Sequence, residues 1–341
     1  MRYSLIVPVY NRPDEVDELL ESLCSQTFKD FEVIIVEDGS QKPCKDVCDK
    51  YANILDLHYY YKENSGPGQS RNYGVERAHG DYVIILDSDV VLPTGYLAAV
   101  DNNVQCSMFN VQCFGGPDAA HPSFTPVQKA ISYSMTSFFT TGGIRGGKKK
   151  LDKFFPRSFN MGIRRDVYQQ LGGFTKMRFG EDIDFSYRIV EAGYQPQLFP
   201  EAWVWHKRRT DFRKFFRQVY NSGIARINLE KRHPGTMKLV HLLPMVFTLG
   251  VLGMLLLSVL SLLSPLTSHL SPLFLLPLLL YCLLLLIDST ILNKSLKVGL
   301  LSIPAAFTQL MGYGFGFIES WWKRCVLKQD EFTAFEKNFY K

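Results

Sequence analysis

The chain of 341 residues lacks the glycine-rich phosphate loops by which many α/β proteins bind nucleotides. It contains neither a Gly-x-Gly-x-x-Gly fingerprint nor a Walker A motif, which argues against a dinucleotide-dependent redox enzyme and against a P-loop ATPase. Its seven cysteines are scattered and match neither a disulfide framework nor a zinc-ligand spacing. We therefore expect reduced thiols.

A secretory leader is also missing from the first residues of the sequence. Met1-Arg2-Tyr3 leads directly into a short strand-like run, and no cleavage pattern follows it. We therefore expect the part of the chain before residue 236 to stay in the cytosol.

Long hydrophobic runs fill the later part of the chain, in contrast to the mixed composition before it. The three runs are Leu239–Leu263, Leu270–Ile287 and Val298–Ile318. At about 1.5 Å per helical residue, the first is long enough to span a hydrocarbon core of roughly 30 Å. Any one run alone could be a buried core helix, but three in succession predict a membrane domain.

The predicted organisation has three parts. Residues 1–235 form a cytosolic catalytic domain, residues 236–320 form a membrane domain with two or three transmembrane or re-entrant helices, and residues 321–341 form a basic and aromatic tail. The third run is the ambiguous one, because it contains Pro304 and several glycines.

Basic residues cluster just before the first run, and this marks the cytoplasmic side of a membrane segment. They also attract anionic headgroups, by about 1 kcal/mol each when near the surface, and the membrane segment that follows makes nucleic-acid binding an unfavourable alternative. Further basic residues lie before and after the third run, and a single crossing by that run would separate them. The basic residues before the first run are Lys207, Arg208, Arg209, Arg213, Lys214, Arg217, Arg226, Lys231, Arg232 and Lys238, and the later ones are Lys294, Lys297, Lys323, Arg324 and Lys328.

Apolar strand-like runs alternate with helical patterns in residues 1–100. This order predicts an α/β fold with a mostly parallel sheet and helices on both faces. Ligands of such sheets bind beyond the carboxyl ends of the strands. We therefore expect three segments to lie beside one crevice: Pro8-Val9-Tyr10, Glu37-Asp38 and Asp87-Ser88-Asp89.

The pair Asp87 and Asp89 follows the buried run 82–86. Strand residues alternate between the two faces, so both carboxylates would point the same way if the strand continued to residue 89. Two adjacent carboxylates favour a hard cation such as Mg²⁺ or Mn²⁺. The alternative is an ordinary solvated turn.

Five short motifs occur in the order and spacing seen in family 2 glycosyltransferases, and residues 3–225 resemble that family. The motifs are Ser4-Leu5-Ile6-Val7-Pro8-Val9-Tyr10-Asn11, Val36-Glu37-Asp38-Gly39-Ser40, Ser70-Arg71-Asn72, Leu86-Asp87-Ser88-Asp89 and Gly180-Glu181-Asp182. The resemblance implies the GT-A fold, which is Rossmann-like, followed here by a helical membrane domain. It also implies transfer of a sugar with inversion at the anomeric carbon.

The resemblance implies roles for individual residues in the nucleotide-sugar site. Asp38 would hydrogen-bond the nucleobase, most often uracil, and the backbone at Pro8, Val9 and Tyr10 would line the nucleoside site. Arg71 would lie near the diphosphate. In the Asp87-Ser88-Asp89 segment, Asp87 would contact the ribose or sugar and share in metal binding, and Asp89 would bind Mn²⁺ or Mg²⁺.

Asp182 is the general base that the resemblance implies, with Glu181 as the alternative. An Asp at a helix start is a weak base unless burial or a neighbouring like charge raises its pKa. The other interpretation is that these acidic residues only stabilise the start of a helix.

His206 would complete the metal site or meet the diphosphate, although an isolated histidine is more often a packed or surface residue. Further candidates for contact with the acceptor or its phosphates are Asn160 and the basic residues that follow His206, namely Lys207, Arg208 and Arg209. The loop 142–157, which contains Lys148, Lys149, Lys150 and Arg157, either approaches the acceptor's phosphates or is an ordinary solvated loop.

The Gln-x-x-Arg-Trp motif of processive members is absent, since the matching region reads Arg217-Gln218-Val219-Tyr220. This absence predicts the transfer of a single sugar. The family resemblance and the apolar runs together lead us to expect a UDP-sugar as donor and a lipid-linked saccharide as acceptor, in envelope polysaccharide or lipopolysaccharide synthesis at the bacterial inner membrane. The alternatives are a polyprenyl-phosphate sugar synthase and a catalytically silent subunit of an envelope-assembly complex. A nucleotidyltransferase on a similar sheet is a third and weaker alternative.

Overall fold

The computed structural model describes residues 1–107, 110–142, 154–177, 179–207, 209–263, 266 and 268–334. These residues form two compact units. The first unit contains the described residues of 1–121 and 154–207, and the second contains those of 122–142 and 209–334.

The first unit is built on a seven-stranded sheet, with a second sheet of three short strands. In chain order the strands are β1 (Tyr3–Val9), β2 (Phe31–Asp38), β3 (Leu57–Lys62), β4 (Tyr82–Leu86), β5 (Val90–Val91), β6 (Cys113–Gly115), β7 (Asp118–Ala119), β8 (Asn160–Arg164), β9 (Gln197–Leu198) and β10 (Val204–His206). The order in the large sheet is β3-β2-β1-β4-β8-β6-β9, and β5-β10-β7 is the order in the small one.

Six helices accompany the sheets within the described part of the first unit. They are α1 (Pro13–Cys24), α2 (Lys45–Tyr51), α3 (Pro67–Val75), α4 (Tyr96–Cys106), α7 (Arg165–Gln170) and α8 (Glu181–Glu191). Pro13 and Pro67 each stand in the first turn of their helix, where the missing N–H is not needed.

Strands β1 to β4 pair in parallel, and β8 adds to β4 in the antiparallel direction. The two faces of the sheet carry separate apolar cores, because side chains alternate along each strand. Leu5 and Val7 pack on one face with the apolar stripe of α1, and Ile6 packs on the other face with Phe185 of α8. The predicted fold class, a mostly parallel sheet with flanking helices, is confirmed.

The predicted strand over residues 82–86 is present, but the condition for strand alternation at Asp87 and Asp89, a strand that continues to residue 89, is not met. Strand β4 ends at Leu86, residues 88 and 89 form a turn, and β5 begins at Val90. A turn, and not strand alternation, therefore sets the directions of the two carboxylates.

The second unit is helical in its described residues. Its helices are α5 (Pro126–Thr136), α6 (Phe138–Thr141), α9 (Phe212–Arg232), α10 (Leu243–Leu262), α11 (Ser271–Asn293) and α12 (Leu296–Trp321). Three helical segments are long and apolar enough to cross a membrane: Leu239–Leu262, Ser268–Asn293 and Leu296–Val326. Helices α5 and α9 pack on α12, so residues assigned above to the catalytic domain pack with these helices, and the domain boundary at residue 235 stays a prediction.

Candidate active site

The loops that follow β1 and β2 are joined at the carboxyl edge of the sheet. The backbone N–H of Asn11 donates to Ser40 Oγ at 2.8 Å, and Asn11 Oδ1 accepts from the backbone of Gln41 at 2.7 Å and Lys42 at 2.9 Å. Asn11 has a φ of 56°, in the left-handed region that asparagine tolerates better than most residues. Arg12, the next residue, reaches Asp89 after β4. The loops that follow β1, β2 and β4 therefore meet at this edge, and a shared crevice lined by Pro8-Val9-Tyr10 stays a prediction.

Three side chains are close enough together to hold one metal ion. One ligand atom from each of Asp87, Asp89 and His206 lies within 4.8 Å of the others. Strand pairing brings in the distant histidine, because β10 runs antiparallel to β5 and places His206 opposite Val90. His206 Nε2 lies 3.2 Å from Asp89 Oδ1. Two carboxylates and one imidazole form a donor set that fits Mn²⁺ and, less well, Mg²⁺.

Two further residues orient the His206 ring. Phe159 stacks on it with the ring centroids 4.9 Å apart, and Asp118 Oδ2 lies 3.8 Å from its Nδ1. A carboxylate at Nδ1 favours the tautomer that carries its proton on that nitrogen and leaves Nε2 to bind a metal. No sequence motif marks Phe159 or Asp118, and Asp118 comes near His206 through the pairing of β7 with β10.

Arg12 places a positive charge directly on this cluster. Its Nη1 lies 3.2 Å from Asp89 Oδ2 and also contacts Glu15 in the first turn of α1. The guanidinium offsets part of the negative charge that the two aspartates bring together. The sequence offered only the position of Arg12 after a strand, next to the Pro8-Val9-Tyr10 segment.

Arg71 connects the two acidic motifs. Only 3% of it is exposed, and its Nη2 and Nη1 donate at 2.8 Å to Asp87 Oδ1 and to Glu181 Oε1, respectively. Burial opposes its positive charge, but the two carboxylates outweigh burial and raise the pKa of Arg71 above its usual value. Its guanidinium lies over the Phe174 ring, 5.2 Å from the centroid. Arg71 thus offsets the negative charges of Asp87 and Glu181. Its position near a diphosphate stays a prediction.

The adjacent acids Glu181 and Asp182 begin α8 and have different partners. Asp182 Oδ2 accepts from Arg157 Nε at 2.6 Å. Burial alone would raise the pKa of Asp182, but Arg157, with Arg71 behind it, outweighs burial and holds this pKa below its usual value. Burial, with the charge of Asp182, raises the pKa of Glu181 to about 7, although Arg71 opposes the rise. At neutral pH Asp182 is therefore ionised, whereas Glu181 titrates near neutrality.

Asp38 is buried and accepts several hydrogen bonds. The backbone N–H groups of Ser65 and Gly66 donate to its two carboxylate oxygens at 2.9 Å each, and Lys62 pairs with it. Gly66 has a φ of 93°, which lets the chain turn back over Asp38 before α3 begins. Lys62 was missed because its position at the end of β3 carries no motif.

Asn160 and Lys207 direct their side chains to residues outside the cluster of Asp87, Asp89 and His206. Asn160 is buried, its Oδ1 accepts from Tyr96 OH at 2.6 Å, and its Nδ2 donates to the carbonyl of Ala202 at 2.8 Å. Its contact with an acceptor stays a prediction. The backbone N–H of Lys207 donates to the carbonyl of Asp89 at 3.0 Å, while its side chain pairs with Glu18 at 2.7 Å. Val9 and Ser88 are buried, whereas Pro8 and Tyr10 are half-buried.

Some predicted contacts lie elsewhere in the chain. Arg208 and the three lysines Lys148, Lys149 and Lys150 lie outside the described residues. Arg209 belongs to the second unit. Of the predicted loop, Arg157 is the residue that the structure brings to a predicted site residue, Asp182.

Comparison with known proteins identifies the family. The sequence profile described as "Glycosyl transferase family 2" matches residues 4–172, which contain the first four motifs. The chain belongs to glycosyl transferase family 2. The predictions of family and of enzyme class are confirmed.

Two curated proteins align with parts of the chain. The poly(ribitol-phosphate) beta-N-acetylglucosaminyltransferase TarS of Staphylococcus aureus is 40% identical over 93 residues, which is 26% of this chain and 16% of TarS. The pre-mycofactocin glycosyltransferase of Mycobacterium tuberculosis is 26% identical over 249 residues, which is 68% of this chain and 48% of that protein. The chain thus spans less than half the length of these curated relatives.

A solved structure shares the fold of this glycosyltransferase family 2 chain. The mannosyltransferase PcManGT from Pyrobaculum calidifontis, determined in complex with GDP-Man and Mn²⁺, superimposes with a TM-score of 0.57 at 16% identity. The alignment covers 95% of this chain and 88% of that one. At this identity the likeness concerns the fold.

The bridging position of Arg71 predicts a large loss of stability on its removal. Replacing Arg71 with Met leaves the carboxylates of Asp87 and Glu181 without their shared cation, and breaking a buried ion pair costs about 3–5 kcal/mol. The free energy of unfolding of the detergent-solubilised chain measures this loss. The matched control is Arg164→Met, which removes a partly exposed pair with Asp166 and should change stability by less than about 1 kcal/mol. Equal stability of the two variants would contradict the bridging role.

Proposed function

We propose that the chain is an inverting, metal-dependent glycosyltransferase that moves one sugar from a nucleotide-diphosphate sugar to a membrane-associated, lipid-linked saccharide. The observation that carries the proposal is the cluster of Asp87, Asp89 and His206, which Arg71 links to Glu181, the neighbour of the ionised Asp182. A scaffold or silent subunit has no need of a cation site and a separate carboxylate, each paired with an arginine.

The donor is a nucleotide sugar, and we propose a uridine nucleotide. Asp38 supports this, because its carboxylate lies at the carboxyl end of β2, where ligands of parallel sheets bind. The backbone at Pro8, Val9 and Tyr10 would line the same site. Because the Pyrobaculum protein was determined with GDP-Man, guanosine donors belong in any test.

The proposed reaction is a single displacement at the anomeric carbon. The acceptor hydroxyl gives its proton to an Asp182 oxygen while its own oxygen bonds to the anomeric carbon. The bond from that carbon to the diphosphate oxygen breaks, and the nucleoside diphosphate leaves with the electron pair. A general base of this kind contributes about 10²–10⁴ in rate.

Arg157 holds Asp182 in the ionised state before the acceptor arrives. The lowered pKa makes Asp182 a weak base in this state, and not the strengthened base that burial alone would give. We propose that the acceptor displaces Arg157 from Asp182, which returns basicity to the carboxylate when it is needed.

Asp87, Asp89 and His206 would hold the divalent cation. When bound, the cation offsets the negative charge that develops on the leaving diphosphate. The imidazole favours Mn²⁺ over Mg²⁺, since Mg²⁺ prefers oxygen ligands alone. Arg12 pairs with Asp89 and so offsets part of the negative charge of the cluster. It would have to leave Asp89 as the cation binds.

The apolar helices support a membrane location, and we propose the bacterial inner membrane with the catalytic unit in the cytosol. The acceptor would then be a lipid-linked intermediate of envelope polysaccharide or lipopolysaccharide synthesis. The absence of the Gln-x-x-Arg-Trp motif supports transfer of one sugar per acceptor.

Release of nucleoside diphosphate from a panel of UDP-, GDP- and dTDP-sugars tests this function. Native membranes are incubated with each donor and Mn²⁺, with lipid extract or polyprenyl monophosphate as acceptor. We expect one donor to react with the extract and Asp182→Asn to lower its turnover by about 10²-fold or more. Reaction with the monophosphate alone would indicate the polyprenyl-phosphate sugar synthase instead. No release from any donor would indicate a silent subunit.

The pairing of Arg157 with Asp182 predicts a shift in pH dependence. Arg157 lowers the pKa of Asp182, so Arg157→Met should raise it and move the acid limb of the kcat/KM profile to higher pH, by about 1–3 units. Below that limb the base is protonated and activity falls. Arg164→Met, a matched change at another ion pair, should leave the limb in place. If the acid limb of the Arg157→Met profile stays at the same pH, that limb reports a group other than Asp182.

The proposed metal site predicts a loss of Mn²⁺ affinity on removing His206. Isothermal titration calorimetry with Mn²⁺ alone should show at least about a tenfold weaker affinity for His206→Ala, since even outer-sphere partners cost that much. The control is His121→Ala, which removes a ring that packs edge-on against Trp205 but lies outside the ligand cluster. Equal Mn²⁺ affinity of both variants would exclude His206 as a ligand.

A further inference from the structure

We infer that α12 does not cross the bilayer and that α9 and α12 together form a surface seated in the lipid headgroup region, on the side of the membrane where α10 begins. The chain would then cross the bilayer twice, through α10 and α11. By length and composition alone, α12 qualifies as a third crossing. Its packing partners decide against that.

The second half of α12 lies along α9, and the two helices run in the same direction. A Cβ on Gly316 would lie 2.0 Å from the carbonyl oxygen of Tyr220, so only glycine allows this approach. Further along, Ser320 Oγ donates to the carbonyl of Ile224 at 3.2 Å, and Arg324 Nε donates to Asn228 at 3.1 Å. The contacts therefore advance together along both helices.

Helix α9 is too polar to enter hydrocarbon. It carries Arg213, Lys214, Arg217, Arg226, Lys231 and Arg232, and the first two are exposed. A charged side chain at the bilayer centre costs at least about 2.5–3.5 kcal/mol, so six of them forbid insertion. Because α12 contacts α9 over several turns, the second half of α12 must lie at the same depth as α9.

The contacts of α12 with α10 also place the second half of α12 on the side of the membrane where α10 begins. Helices α10 and α11 form an antiparallel pair, since Ser258 hydrogen-bonds Ser271 beside their turn while Phe247 contacts Tyr281 further away. As α12 proceeds to Gly314, its neighbour becomes Pro244, in the first turn of α10. Helix α12 thus heads toward the side where α10 begins.

The residues after α12 return to α9. The backbone N–H of Ala334 donates to Asn221 Oδ1 at 2.9 Å, and the Asn221 amide donates to the carbonyl of Ala334 at 3.2 Å. Glu331 pairs with Arg232 at 2.8 Å. The described part of the tail is therefore on the side of α9.

The burial of the three helices fits two different environments. Only 22% and 11% of the most apolar windows of the α10 and α11 segments are buried within the protein, against 44% for the α12 segment. Leucines that face outward from α10 and α11 suit lipid chains. Trp321 and Trp322, both about half exposed, stand next to Lys323 and Arg324, which is a composition typical of the membrane interface.

The distribution of basic residues supports the inference independently. Lys294 and Lys297 precede most of α12, and Lys323, Arg324 and Lys328 follow it. If α12 crossed, one of these groups would be on the outer side, against the rule that positive residues stay inside. With two crossings, both groups share the side of the basic helix α9.

Site-specific cysteine labelling tests the inference on the full-length chain in native membranes. A membrane-impermeant maleimide is applied to intact spheroplasts and to inverted vesicles, and mass spectrometry identifies each labelled peptide. The native Cys325 is exposed just after α12. Ser222→Cys on α9 and Leu266→Cys between α10 and α11 mark the two sides, since both positions are exposed. Cys325→Ser identifies the peptide.

We expect Cys325 to be labelled in the same preparation as Ser222→Cys, and Leu266→Cys in the opposite one. Labelling of Cys325 together with Leu266→Cys would show that α12 crosses and would overturn the inference. Labelling of Leu266→Cys together with Ser222→Cys would also overturn it, because α10 and α11 would then not cross.

Discussion

Crowding of carboxylates at one edge of the sheet is the constraint on which the site depends. Five acids lie there or at the start of α8, and each has a cationic partner: Asp38, Asp87, Asp89, Glu181 and Asp182. Unpaired buried charges cost several kcal/mol each, so the fold must supply these cations. Lys62, Arg12, Arg71 and Arg157 do so, and among the described residues Asp87, Asp89 and His206 are the group that could also hold a metal ion. Charge compensation therefore links folding to the proposed chemistry.

Much of this unit follows from local sequence patterns. The apolar runs predicted β1 to β4, and their alternation with helical stretches predicted a parallel sheet with its ligand edge at the strand ends. The partners of the acids could not be predicted in the same way. Arg71 and Glu181 are 110 positions apart, and Arg12 and Asp89 are 77 apart. Only the antiparallel pairing of β10 with β5 puts His206 beside Asp89. Long-range pairing of this kind leaves no periodicity in the sequence.

The membrane part shows the opposite balance between sequence and structure. Hydropathy identifies α10, α11 and α12 equally well as apolar helices. It does not show which helices pack against each of them. The glycines of α12 permit a backbone-to-backbone approach to α9, and the charge of α9 then limits how deeply α12 lies. The basic residues on both sides of α12 already conflicted with three crossings. The packing explains that conflict, because two crossings leave all of them on one side.

The central claim is that the turn after β4 and the end of β10 form one cation site for a nucleotide sugar. Anomalous diffraction from crystals of the full chain grown with Mn²⁺ and uridine diphosphate tests it most directly. The account predicts one Mn²⁺ peak coordinated by Asp87, Asp89 and His206, with the diphosphate on the same ion and Arg12 moved off Asp89. A bound nucleotide with Mn²⁺ elsewhere, or with Arg12 still paired to Asp89 and no ion at the cluster, would contradict it.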